Sequence, residues 1–244
     1  MQTDTRREAT VPARQRLVWQ VLSTALASVV QTPRPARVLD CGGGSGSFAV
    51  PLAQLGADVT VVDISVDALA TLHRRAVEAG VAERVRPVQG DVEALIDVVP
   101  LNGFDLVLAH GILEEVEHIA PTFEAIAASV RPGGLLSVLV GNPVAVVLAR
   151  ALSGDLAAAL AELRSLGSDD TRPSPAGIAA LCRASGLTIE QTHGVGVFSE
   201  LVPGSALDAP GAAEALADLE AESAIQAPFS EIASRVHTLA RRPR

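Results

Sequence analysis

Short apolar runs and amphipathic stretches alternate along the first 140 residues. The runs Ala36–Cys41, Asp58–Asp63, Val85–Gly90, Phe104–His110 and Leu135–Val140 are brief, rich in Val and Leu, and bounded by Gly, Pro or Asp. That pattern predicts buried strands. The stretches between them predict helices over Phe48–Leu55, from a cap at Ser65 or Asp67 to Ala79, and over Glu114–Val130. Gly56 and Gly80 close the first two, as glycine does past a helix end. Pro87 lacks the N–H that an inner strand donates, so the third strand belongs near a sheet edge.

The flanks follow other rhythms. Apolar residues at 17, 18, 21, 22, 25, 26, 29 and 30 share one face of a helix spanning Val11–Val30, with Trp19, Gln20, Ser23 and Thr24 on the other face. The uncharged run in it is an amphipathic helix rather than a signal peptide or a span. After residue 141 the chain predicts a helix over Pro143–Leu166, a polar loop over Ser168–Pro175 and a helix over Pro175–Ser185. A strand over Leu187–Phe198, interrupted near Gly194 and Gly196, comes next. A small acidic helical insertion at Pro203–Pro228 and a last strand at Ile232–Ala240 complete it. Strands and helices alternating at this spacing build right-handed βαβ units around a mainly parallel sheet, an α/β fold.

Such sheets hold ligands beyond the carboxyl ends of their strands. Asp40, Asp63, Asp91 and His110 all fall there. The first strand runs into Asp40-Cys-Gly-Gly-Gly-Ser-Gly46, a turn whose Gly42, Gly43, Gly44 and Gly46 let a ligand approach the backbone. The dinucleotide fingerprint would need a third glycine at 47 or 49, where Ser47 and Ala49 stand. An NAD-dependent oxidoreductase is thus the weaker alternative. Each strand-end residue also has a plainer reading. Asp40 could hold turn amides, Asp63 could cap the next helix, Asp91 could belong to a turn, and His110 to the core.

Composition narrows the partners. The 244 residues carry a net charge of −9, and all 19 basic residues are arginine. That balance disfavours nucleic-acid binding through the whole surface, while leaving local arginine clusters. Arg172 and the tail residues Arg241, Arg242 and Arg244 are the set that could flank one pocket mouth. Two cysteines are too few for a disulfide framework, so a reducing, cytoplasmic setting is expected. His110 to Glu114 does not form the His-Glu-x-x-His pattern, and no metal is expected.

Five segments taken together resemble the class I S-adenosylmethionine (SAM)-dependent methyltransferases. They are Val38–Gly46, Val61-Val-Asp63-Ile-Ser, Gln89-Gly-Asp91-Val, Phe104–His110 and Arg131-Pro-Gly-Gly-Leu-Leu136. The resemblance implies a Rossmann-like methyltransferase fold with a seven-stranded sheet and helices on both faces. It implies SAM as cofactor. The glycine turn would take the amino acid and ribose, Asp63 the ribose hydroxyls beside Ile64, Asp91 the adenine amino group, and Val92 a backbone contact next to it. His110 and Gly111 would line the reactive end.

A narrower resemblance, to the bacterial tRNA 5-carboxymethoxyuridine methyltransferases, reaches into the flanks. Its carriers are Arg14–Gln20, His110–Val116, Val140-Gly-Asn142, Gly194–Phe198 and Val236–Pro243. It implies that Arg14 contacts SAM from a helical lid over residues 1–35, ahead of a catalytic domain over 36–244 with an insertion at about 199–230. It makes a carboxylate on a tRNA wobble uridine the expected acceptor, with a small-molecule acceptor as the alternative. Asn142 and Arg172 are candidate substrate contacts. Two positions depart from the family: Gly196 replaces the arginine of Gly-Val-Arg-Val-Phe, and Glu115 replaces the tryptophan of Leu-Glu-Trp-Val.

Overall fold

The computed structural model describes residues 13–29, 34–167 and 173–244, and the side chains from residue 16 onward. Five strands alternate with helices as the sequence pattern requires: β1 Arg37–Cys41, β2 Asp58–Asp63, β3 Val85–Gln89, β4 Phe104–His110 and β5 Val130–Gly141. Helix α1 Ala13–Val29 precedes them; α2 Ala49–Gln54, α3 Val66–Glu78 and α4 Ile119–Ser129 lie between them. After β5 come α5 Pro143–Leu152, α6 Leu156–Ser165, α7 Pro175–Ala184 and β6 Thr188–Val195. The chain then runs through α8 Ala212–Ser223 and the single turn α9 Phe229–Ile232 into β7 Arg235–Arg241.

The seven strands form one sheet in the order β3-β2-β1-β4-β5-β7-β6. β1 pairs in parallel with β2 and with β4, β2 with β3, and β4 with β5. β7 runs the other way. Gly134 and Arg242 bond at one end of the β5 pairing, and Asn142 and Ser234 at the other. β3, with Pro87, is indeed an edge strand.

Both faces of the sheet are covered. Every residue of β1 after Arg37 is buried, as is β4 from Phe104 to Ala109, which is how an inner parallel strand reads. Side chains alternate between faces. Leu39, Cys41, Val107, Ala109, Leu136 and Val138 meet Phe123 and Ile126 of α4 and Cys182 of α7 in one core.

Two compact units result. One comprises Ser23–Val140, Ala176–Gln191 and Thr238–Arg244; it holds β1 to β5 and the glycine turn. The other takes the described residues of Met1–Leu22, Gly141–Pro175 and Thr192–His237.

Three boundaries differ from the sequence expectation. The predicted helix Glu114–Val130 starts only at Ile119, after a 3-10 turn at Ile112–Glu114. The Pro132-Gly133-Gly134 turn lies inside β5, as a register shift against β4. Its backbone is claimed by the tail strand: Gly133 N–H donates to the Arg242 carbonyl, and Arg242 N–H donates to the Gly134 carbonyl. The predicted helix Pro143–Leu166 is two helices. Ser153-Gly154-Asp155 breaks it, with Gly154 at φ +85° and Asp155 capping α6 through the Ala158 N–H.

Candidate active site

The strand order reverses between β1 and β4, and the loops after these two strands meet. A Cβ on Gly42 would stand 2.7 Å from Ile112 Cδ1. Gly42 therefore lets the turn after β1 pack on the turn after β4. Such a reversal point opens a crevice beyond the carboxyl ends of the strands. Gly42, Gly44 and Gly46 hold positive φ values of 67°, 54° and 80°. Arg75 of α3 donates to the Ser45 carbonyl at 2.9 Å and braces the turn from the side.

Asp63 closes β2 beside this turn. Its Oδ2 accepts the Gly44 N–H and its Oδ1 the Ser65 N–H, each at 2.8 Å. Ser65, not Asp63, caps α3, by accepting from the Ala68 N–H at 3.2 Å. Asp63 thus ties two strand ends together while each oxygen keeps a further lone pair. A Cβ built on Gly44 would meet nothing within 4 Å except Asp63 Oδ2, at 3.8 Å. The space above Gly44 is open. The next side chain, Ile64, is 71% exposed, unusual for isoleucine.

Asp40 lies beneath the turn, 2% exposed, and its Oδ2 has no hydrogen-bond partner. Burial pushes its carboxyl up to about 7, and the negative charge of Asp63 adds to the rise. Asp91 starts the 3-10 segment Val92–Asp97, and its Oδ1 accepts the Glu93 N–H at 2.9 Å. The turn-residue reading of Asp91 therefore holds. Val92 is buried behind it.

His110 ends β4. Its Nε2 lies 2.8 Å from Ser137 Oγ of β5, and its ring meets Phe48 edge-on at 4.7 Å between centroids. Ser137 went unnoticed in the sequence, although a serine inside Leu135-Leu-Ser-Val-Leu139 is the polar exception in a buried run. The other histidines have separate settings. His118 is exposed and pairs with Glu93. His193 stacks on His237, with ring centroids 5.6 Å apart, and its burial lowers its pKa.

Asn142 is 3% exposed and caps α5. Its Nδ2 donates to the Glu231 and Ala233 carbonyls, both at 2.8 Å, and its Oδ1 accepts the Val144 N–H at 3.2 Å. These bonds commit both ends of the amide to the backbone. Arg172, and the side chain of Arg14, lie outside the described residues.

The tail arginines do not gather at the pocket mouth that the sequence reading allowed. Because β7 is antiparallel, its last residues lie at the amino ends of the parallel strands. Arg241 pairs with Glu190 and donates to the Gly133 carbonyl at 2.9 Å. Arg242 donates to the Val130 carbonyl and to Asn102 Oδ1, both at 2.7 Å. Arg244 lies against Gly133. All three are at the far end of the strands from Asp63 and His110.

The other unit has its own polar centre. Glu220, 6% exposed on α8, accepts the N–H groups of Val197, Phe198 and Ser199 at 2.9, 2.8 and 2.6 Å. Its place four residues after buried Leu216 puts it on the inner face of the helix. That spacing was legible in the sequence and was missed. Gly196, which replaces the family arginine, is buried at φ +73°, where a Cβ would stand 2.5 Å from Ser234 Oγ. A cleft of about 230 Å3 in this unit is lined by Arg16, Leu17, Gln20, Asp218 and Glu220, among others.

Known proteins share this framework. A family model for a methyltransferase domain matches residues 38–134. The tRNA 5-carboxymethoxyuridine methyltransferase of Escherichia coli (strain K12) is 28% identical across 94% of this chain and 88% of its own length. A ubiquinone biosynthesis O-methyltransferase of Azotobacter vinelandii (strain DJ / ATCC BAA-1303) is 36% identical across 65% of this chain and 67% of its own. A solved structure, the Burkholderia thailandensis 1,6-didemethyltoxoflavin-N1-methyltransferase with bound S-adenosylhomocysteine, superposes with a TM-score of 0.56 at 20% identity, covering 99% of this chain and 83% of the other. On that likeness the chain belongs to the S-adenosylmethionine-dependent methyltransferases, and it is an enzyme of that class.

Proposed function

We propose that SAM lies on the glycine turn, in the crevice beyond β1, β2 and β4, and that its methyl group passes to a small molecule. The turn fits the donor's amino acid and ribose, because the space over Gly44 is open and the Asp63 oxygens keep lone pairs for two ribose hydroxyls. Gly43 and Gly46 shape the same turn. Exposed Ile64 offers an apolar face to the adenine, Asp91 accepts from its amino group, and the Val92 N–H donates beside it. His110, oriented by Ser137, stands with Gly111 at the reactive end.

The donor supplies an electrophilic methyl carried on a sulfonium. The chain's task is to hold an acceptor in line with it and to keep water out, which does most of the catalytic work. A carboxylate acceptor needs no general base. A hydroxyl or amine acceptor does, and among His110, His118 and His193, His110 is the one at a carboxyl strand end of the first five strands.

Charge carries the small-molecule assignment. Residues 141–175 and 192–237, which follow the shared framework, contain four arginines against eleven aspartates and glutamates. RNA phosphates demand the reverse balance. Arg241 and Arg242 are engaged with backbone carbonyls and side chains at the amino ends of the strands. Methylation of a wobble-uridine carboxylate on tRNA is the second reading. The similarity that extends through 94% of this chain favours it. The resemblance further makes residues 1–35 a lid with Arg14 on the donor, and leaves Arg172 as the contact to the acceptor; the Asn142 amide is taken up by the backbone. We read the setting as reducing and cytoplasmic, because Cys41 and Cys182 are free and buried.

Labelled-methyl transfer from SAM decides between the acceptors. Unmodified tRNA, tRNA carrying 5-carboxymethoxyuridine, and a small-molecule extract are offered in parallel. Label in the extract alone supports the proposal; label on the modified tRNA overturns it. A chain truncated before Leu17 tests the lid, since undiminished SAM affinity rules it out.

A further inference from the structure

Asp40 is a buried ionisable group beside the glycine turn to which the contacts proposed above give no task. It is 2% exposed on β1, and its Oδ2 accepts no hydrogen bond. The turn backbone passes directly over it: a Cβ on Gly43 would stand 2.5 Å from both Asp40 Cγ and Oδ2. The Gly43 backbone therefore lies directly against this carboxyl, in the turn on which the donor is placed. A turn that only needed anchoring would use the carboxyl oxygens as acceptors, as Asp63 does. Asp40 Oδ2 is buried and unused.

The ionisable groups brought to this end of the sheet are few. Asp63 of β2 is the charge that acts on Asp40, and it disfavours ionisation. Cys41 follows on the same strand, with its thiol pushed up by burial and then by Asp40. His110 of β4 is held by Ser137, and Arg75 of α3 is held by Ser45. Asp40 is itself raised to about 7, so it changes charge in the neutral range.

We propose that Asp40 sets the preference for the cationic methyl donor over its neutral thioether product, by carrying a negative charge under the turn while the sulfonium lies above it. This rests on the reading that the donor occupies the glycine turn. SAM and S-adenosylhomocysteine differ by one methyl group and one positive charge. Both exclude water from the turn, which disfavours ionised Asp40. SAM alone returns a compensating charge. Binding and ionisation are reciprocal, so the ligand that favours the carboxylate is itself favoured when the carboxylate forms. A charge pair about 10 Å apart at an effective dielectric constant near 20 is worth on the order of tenfold in affinity.

Calorimetric titration of the full chain with SAM and with S-adenosylhomocysteine, from pH 5.5 to 8.5, tests this. The preference for SAM should rise by roughly tenfold as Asp40 ionises. It should stay flat in Asp40→Asn, which keeps the shape and loses the charge. Repeating the titrations in buffers of different ionisation enthalpy reads proton exchange directly. Near pH 7 the product should take up more protons on binding than the donor does, in the unmodified protein, whether or not the variant folds. Equal proton uptake overturns the proposal. So does a rise that persists in Asp40→Asn, which would belong to the ligands' own α-ammonium groups, titrating near 8 in the unperturbed case. If the protein binds neither ligand at any pH, the cofactor reading fails first and this inference falls with it. Binding of both ligands with a flat preference defeats this inference alone.

Discussion

The Gly44 N–H donates to Asp63 Oδ2 at 2.8 Å, across 19 residues of sequence. The acid at the end of β2 thereby holds the turn that ends β1. It is a structural anchor of the same surface on which the proposed cofactor would rest, and each of its roles bears on the other.

Asp63→Ala removes a charge-assisted acceptor from the Gly44 amide and from the proposed ribose hydroxyls together. Each such bond contributes about 1.5–3 kcal/mol. SAM affinity should fall by at least about tenfold, since about 1.4 kcal/mol is a decade. Asp63→Asn keeps one acceptor oxygen and should lose less. Calorimetric titration checks both. Equal SAM affinity in the Ala variant and the unmodified protein would remove Asp63 from the site.

Gly43→Ala should destabilise the fold by about 1–3 kcal/mol through overpacking. The added Cβ has no room between Asp40 and Val61 Cγ1, the latter 2.9 Å away. Gly204→Ala, where no atom lies within 4 Å, is the control and should be close to neutral. Thermal unfolding of the two variants should separate them clearly. Matching melting temperatures would mean that the turn moves aside at little cost.

Asp105 is 1% exposed at the amino end of β4. It accepts from Nη1 and Nη2 of Arg34, from the Arg37 N–H and from Arg131 Nε. Burial alone would raise its pKa; the hydrogen bonds from Arg34, Arg37 and Arg131 outweigh it and hold the carboxyl below its ordinary value. A depressed pKa stabilises the folded chain at pH above the unfolded value, about 3.9. That contribution is lost as pH falls through the lower, folded value. Asp105→Ala removes the acceptor shared by the Arg37 N–H and two partly exposed arginines, and should cost about 1–3 kcal/mol. It lies at the far end of β4 from His110, so SAM affinity should stay unchanged. Urea unfolding at pH 7 and at pH 3 reads the first effect, and titration the second. A variant as stable as the parent at pH 7 would show that the cluster contributes nothing.

Glu220→Ala leaves three consecutive amides, Val197 to Ser199, without their acceptor. A buried donor left unsatisfied costs about 1–3 kcal/mol. Hydrogen exchange at Val197, Phe198 and Ser199 should accelerate markedly, while the amides of β1 and β4 stay protected. Unchanged protection of those three amides would mean that another acceptor takes over.

Much of the framework was legible before any coordinates. The alternation of short apolar runs with amphipathic segments places five parallel strands, and the Asp40–Gly46 segment specifies a turn that only glycines can make. These are local properties. Periodicity, caps and turn chemistry act over a few residues, so a linear reading reaches them. The break at Ser153-Gly154-Asp155 was local as well, and was overlooked under the Ala and Leu richness around it.

What remained belongs to strand order and sense, which no local rule contains. Antiparallel β7 carries Arg241 and Arg242 away from the ligand end of the strands. Asn142 looked available for substrate until its amide met the Glu231 and Ala233 carbonyls, 89 and 91 residues on. Asp40 and Asp63 both looked like ligand-end acids. Packing separates them: Gly43 roofs one carboxyl over, while the other faces the open space above Gly44. A residue's chemistry is written in the chain, but the company it keeps is set by contacts between distant segments.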